Sequence, residues 1–187
     1  MVEDYQKEAV EIPDICKLIR QLLIDDLRNH KLKHLVPHEK IIPNFEGTFE
    51  ELPCILIQHV GETNMLKEEA IPGGTGSTWT SAVEITIICT DDAYCNYPPH
   101  EPGELDDGST RFDGAEKVLN TIYWILYRTL SENRRGYEAD FLDTYQWDDI
   151  RPVGFEMIPG GYNGERDLWA LILAWEFDQE IVSRSDC

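Results

Sequence analysis

Positive charge is scarce in this chain: 16 Lys and Arg stand against 36 Asp and Glu over 187 residues, a formal charge of −20 at pH 7. Neutralising a nucleic-acid backbone takes clustered Lys and Arg on one face, so this balance excludes ordinary nucleic-acid binding. Long apolar runs are missing too. None approaches the ~20 residues of a membrane span, and Met1 is followed by acids rather than by a basic segment and an apolar stretch. The chain is expected to be soluble and to carry no cleaved leader. Cysteine is sparse: Cys16, Cys54, Cys89, Cys95 and Cys187 form no CxxC pair and are odd in number, which suits free thiols in a reducing cytosol. Cys54 and Cys89 lie in apolar runs, where a thiol packs as a small buried hydrophobe.

Catalytic signatures are also wanting. There is no GxSxG, no HExxH and no Cys with an evident His and Asn context, so nucleophilic or metal hydrolysis has no named residue. His30, His34 and His38 recur every four residues, but Pro37 breaks the spacing before the third and no acidic or thiol ligand stands beside them, which leaves solvated surface histidines. His100-Glu101-Pro102 matches half of a zinc-deaminase signature with no PCxxC after it. The run 73–78, GGTGST, lacks the Lys of a phosphate loop and precedes a strand, so it reads as a flexible loop tip. Asp91-Asp92 and Asp106-Asp107-Gly108-Ser109 do not fit a calcium loop. No catalytic residue, metal ligand or cofactor is expected, and the chain is not read as an enzyme.

What is present is a core. With 42% apolar residues, a chain of this length buries roughly 70% of its unfolded surface, enough for one folded domain over residues 1–187. Ile12, Ile15, Ile19, Leu22, Leu23 and Leu27 recur at helical spacing and predict an amphipathic helix over 12–27, with Pro13 in its first turn. Residues 29–53 show no period and read as a connection. PCILIQHV (53–60) and WTSAVEITIICT (79–90) predict two strands joined by a long loop, 61–78. A polar, acidic, Pro-rich stretch over 91–108 is expected to be exposed. Ser109 or Thr110, with Asp113, is placed to cap a second helix whose stripe is Phe112, Ala115, Val118, Leu119, Ile122, Ile125, Leu126 and Leu130, and which ends over 133–136. Residues 144–158 predict an irregular edge strand interrupted at Pro152, 159–164 a glycine turn, and 167–182 a strand buried on both sides. The order α-β-β-α-β-β predicts an α+β domain: a mainly antiparallel sheet of about four strands with both helices on one face. Of the aromatics Trp79, Tyr123, Trp124, Tyr127, Trp147, Trp169 and Trp175, most hold core spacing. Trp124 and Tyr127 flank the helical stripe, in position to face a neighbouring subunit.

The helix IPDICKLIRQLLIDDL, the strand pair LPCILIQHV and WTSAVEITIICT around a very long loop, the helix opening TRFDGAEKVLNTIYWIL and the terminal strand ERDLWALILAWEFDQEIV together make this chain resemble the phage tail terminator proteins, also called tail-completion or tail-to-head joining proteins. The resemblance implies a hexameric ring that caps the head-proximal end of the tail tube, stops tube polymerisation and joins the tail to the neck. It implies as partners other copies of the chain, the tail-tube protein and a neck or head-completion protein, with DNA only as passing cargo and no membrane. Its place would be the virion tail or neck, after assembly in the host cytoplasm. Met65, Leu66, Lys67, Glu68, Glu69, Ile71 and Trp79 would then form a contact loop toward a subunit or the tube, and Tyr162, Asn163 and Arg166 a second contact turn. Asp91, Asp92, Glu101, Glu104, Asp106 and Asp107 would face the lumen or neck, although the length of 91–108 departs from the family's compact pattern. A carboxylate-lined wall repels phosphate and suits DNA passage; the same charge also serves plain solubility. The alternatives are an acidic DNA mimic that occupies a basic host site, another neck, head-closure or baseplate component, and an enzyme whose site the sequence does not reveal.

Overall fold

In the computed structural model, which describes residues 14–25, 32–45, 51–63, 68–71, 74–97, 110–133 and 147–182, the first helix is capped by Asp14. Its Oδ1 accepts the N–H groups of Cys16 (3.1 Å) and Lys17 (3.3 Å), two of the donors that a helix start leaves unpaired. Helix α1 (Ile15–Asp25) buries Ile15, Cys16, Ile19, Leu22 and Leu23, the face that the spacing predicts. Residues 12, 13, 26 and 27 of the predicted helix lie outside the described residues. Asn44 donates its side-chain amide to Asp14 Oδ2, so the cap also ties the helix to the chain beyond the first strand. Asp14→Ala is expected to cost about 0.5–2 kcal/mol, and Asp14→Asn much less, in urea unfolding.

The predicted connection 29–53 holds structure that its lack of period conceals. Helix α2 (Leu32–Leu35) and a 3-10 turn (His38–Lys40) lead into β1 (Ile41–Pro43). Arg20 fixes this segment by donating Nε to the Ile41 carbonyl (2.8 Å) and Nη2 to the His38 carbonyl (3.2 Å). Since α2 ends at Leu35, His34 and His38 do not share a helix.

Three elements depart further from expectation. The loop 61–78 is largely strand: β2 (Cys54–Thr63) runs on past Val60, β3 (Glu68–Ile71) follows, and β4 spans Gly74–Thr90, so Gly74 and Gly76 belong to a sheet. The stretch after Thr90 turns through exposed Asp91 and Asp92 into β5 (Tyr94–Tyr97), which pairs with β6 (Thr110–Asp113). Thr110 and Asp113 therefore cap nothing. Helix α3 (Ala115–Glu132) begins instead after Gly114, whose φ of 99° suits glycine and is strained for residues with a Cβ. Its buried stripe is as predicted from Ala115 to Leu130, and its end at Asn133 agrees as well. Phe112, the first residue of the predicted stripe, sits on β6 and packs against the same core.

The strands β7 (Trp147–Ile158) and β8 (Leu168–Val182) complete a six-stranded sheet in the order β1-β2-β4-β8-β7, with β3 also on β4. Among the described strand pairs, only β1–β2 is parallel. The fold is α+β, with two more strands in the main sheet than expected and the hairpin-like pair β5–β6 beside it. One face of the sheet, through Ile57, Val83, Ile85, Ile87, Leu171, Leu173, Trp175 and Phe177, packs under all three helices. The other buries Cys54, Leu56, Ile88 and Ala170 beneath Phe45, Leu52 and Tyr162. The first half of β8 is thus covered on both sides, as its run of large residues demands.

Candidate functional site

Strand β4 is the longest of the described strands. The hydrophobic layer under the helices includes Val83 on β4 and Phe177 on β8, and the ladder between the two strands continues from Ser81↔Phe177 to Gly76↔Val182. Nine residues at ~3.4 Å each carry β4 about 30 Å from Val83 to its start at Gly74. There β3 pairs along its other edge, from Glu68↔Ser77 to Ile71↔Gly74. The result is an arm of paired strands extending the sheet. Of the expected contact loop, Glu68, Glu69 and Ile71 lie on β3 and Trp79 on β4 opposite Gln179. Met65, Leu66 and Lys67 lie outside the described residues.

The base of the arm is pinned by charge on the face away from the helices. Alternation along β8 puts Glu176 and Asp178 on that face with Ala170. Arg151 of β7 donates Nε to Glu176 (2.6 Å) and Nη1 to Asp178 (2.7 Å), while Thr80 of β4 donates its hydroxyl to Asp178 (2.6 Å). Hydrogen bonds that it donates to Glu176 and Asp178 hold the Arg151 guanidinium above its ordinary pKa. The register places Glu84, Asp149 and Glu156 on the same face, so acids dominate its upper half.

At the other end of β4, Asp91 and Asp92 form an exposed turn, and the Asp91 N–H donates to the Asp167 carbonyl (3.0 Å). That bond brings together two of the expected contact groups, because the turn holding Tyr162, Asn163 and Arg166 joins β7 to β8 at this same end. Asn163 and Arg166 are exposed, whereas Tyr162 is half-buried as part of the cap over Ala170. Glu101, Glu104, Asp106 and Asp107 lie outside the described residues. The arm and this turn therefore occupy opposite ends of one strand, some 50 Å of extended chain apart.

A third surface, only partly foreseen, runs along the β7 margin. Trp124 is 63% exposed and Phe155 68%, with Val153 beside it at 60%. Tyr123 stands between Trp124 (5.3 Å between ring centroids), Tyr127 (5.8 Å) and Phe155 (6.0 Å), and Tyr127 continues the contact inward to Trp175 (5.7 Å). A separate groove of about 790 Å³ follows the β6 side of α3 past Trp124, with Phe112, Ile125, Lys117, and the ion pair Arg128–Glu132 among its walls. Trp124 was legible from its place beside the helical stripe. Val153 and Phe155 were not, because the register shift between Pro152 and Gly154 breaks the alternation from which a strand's exposed side is read.

The four thiols among the described residues present no reactive centre. Cys16, Cys54, Cys89 and Cys95 are free and buried. Burial pushes their pKa up from the ordinary 9.0, to about 11 for Cys16 and Cys54 and about 12 for Cys89. All four are expected to resist iodoacetamide at pH 8 in the folded protein and to react once it is unfolded. A pKa raised by folding favours the fold below the ordinary thiol range, and that contribution is lost as pH rises from about 9 to 12. Unfolding free energy is therefore expected to fall across that interval. Among the described residues, no group of three or more His, Cys, Asp or Glu is placed to hold a metal, and no helix is long and apolar enough to cross a membrane.

No protein-family model matches the chain, and no curated protein matches it in sequence. Among solved structures it is similar to a chain from the virion of a native gene transfer agent particle, with 10% sequence identity, a TM-score of 0.46, and coverage of 87% of this chain and 92% of that chain.

Proposed function

We propose that this chain is a structural virion subunit of the tail-terminator kind: copies form a ring on the head-proximal end of a tail tube, end its growth and offer the neck a surface. The observation that carries this reading is the arm. Where the element order of the tail terminators places an extended loop, this chain continues its paired strands about 24 Å past Ser81, to Gly74. Extra paired strand is stiff, and a stiff projection suits docking to a neighbour better than a solvated loop does.

The remaining surfaces fit the same part. The two ends of the subunit differ, with the arm at one and the turn of Asp91, Asp92, Asn163 and Arg166 at the other, as a piece between tube and neck requires. The sheet face bearing Glu84, Asp149, Glu156, Glu176 and Asp178 suits a wall past which DNA moves without sticking. In this reading the chain supplies shape rather than chemistry. The test is to polymerise the tail-tube protein with and without this chain and image the products. Tubes that stop growing and carry a ring at one end support the proposal. Tubes of unchanged length with bare ends overturn it.

A further inference from the structure

Strand β7 is the last in the sheet order, and no described strand lies along its outer edge. Residues 151–156 are exposed throughout, so little covers either face of this stretch. Proteins usually blunt a strand edge that meets only solvent. Pro152 does so here for part of the strand: it lacks an N–H, and the register shift between Pro152 and Gly154 bends the chain beside it. From Gly154 to Ile158 the ladder to β8 is regular again. That leaves about five residues, roughly 17 Å of edge, open to an added strand of ordinary length.

The two faces beside this edge ask for different side chains. On the face under the helices Phe155 stands exposed, and a hollow of about 210 Å³ lies between Phe155, Tyr123, Tyr127 and Trp175, with Pro152 and Val153 also in its walls. Among the described residues those walls carry no charged side chain, so the hollow suits a large apolar one. On the opposite face Glu156 is exposed and in no ion pair, while Glu176 and Asp178 share the single guanidinium of Arg151. Negative charge is in excess there and attracts a cation. Because side chains alternate between faces along a strand, the segment that matches both is one in which large apolar and basic residues alternate. A second copy of this chain does not supply it. Among the described strands the only Lys or Arg are Arg111 and Arg151, already paired with Asp113 and with Glu176 and Asp178.

We infer that the open edge of β7, from Gly154 to Ile158, takes up an extended segment of a different protein, in which apolar residues seated beside Phe155 alternate with basic residues facing Glu156. The inference goes beyond the ring assembly proposed above and does not depend on it. The probe is a blocked eight-residue peptide alternating Ile and Lys, titrated into the full-length chain by calorimetry beside two controls, one alternating Ile and Glu, the other Gly and Lys. The Ile-Lys peptide should bind about tenfold or more tightly than either control, and amide exchange should slow over residues 154–158. Phe155→Ala should weaken its binding by about tenfold. Glu156→Lys should weaken it too and let the Ile-Glu peptide bind in its place. Both positions are exposed, so the variants should fold, which circular dichroism checks. No binding of the Ile-Lys peptide, equal binding of the Gly-Lys peptide through charge alone, or slowed exchange elsewhere in the sheet overturns the inference. Self-association of the chain that Phe155→Ala abolishes, with no peptide bound, would give the edge to a second copy and overturn it equally.

Discussion

Phe177→Ala is expected to cost about 3–5 kcal/mol of folding stability, the range for emptying a buried aromatic site. Phe177 is fully buried on β8, opposite Ser81 of β4 and Ile150 of β7, at the foot of the arm. Its neighbours on both sides are strands held by ladder hydrogen bonds, so they cannot close on the space that it leaves. A domain of this kind is stable by about 5–15 kcal/mol, so this one change removes a large share. Urea unfolding followed by tryptophan fluorescence should show a lower midpoint with an unchanged slope. Phe155→Ala, on the neighbouring strand but exposed, should stay within about 0.5 kcal/mol of wild type. Equal losses at the two positions would contradict the placement of the core.

The second large effect separates folding from assembly. Deleting residues 66–76 removes β3 and the start of β4 but leaves the pair Thr63↔Thr80 and everything from Val83 onward. The shortened connection keeps 64, 65, 77, 78 and 79, about five residues, within the range that joins paired strands. The variant is therefore expected to fold, with a melting temperature within a few degrees of wild type. Tube capping should be lost altogether. Should the shortened chain cap tubes at the wild-type rate, the arm is not the contact element and the reading built on it fails.

The parts of this molecule that the sequence discloses are those where burial imposes a period. α3 and β8 were legible because each packs a continuous stripe or two faces into the core: Val118 to Leu130 in the first, Leu171 to Phe177 in the second. β1 was not, being three residues long and ended by Pro43, too short for any alternation to register. The arm was missed for a different reason. Gly74, Gly76, Ser77 and Thr78 carry no apolar alternation, and what makes them strand is the ladder to β3 and β8 rather than local preference. β5 and β6 were hidden in the same way, since their pairing partner lies across the acidic stretch. At the candidate site, Trp124 could be picked out beside the helical stripe, whereas Val153 could not. It sits at a bulge, and a bulge is a property of two paired strands that neither sequence carries alone.

The most direct measurement is the mass of the purified chain by light scattering, first alone and then with tail-tube protein. A subunit that works by joining copies of itself should appear as a ring, most simply a hexamer, either free in solution or once tubes are added. A single 21.6 kDa species under both conditions would contradict that account.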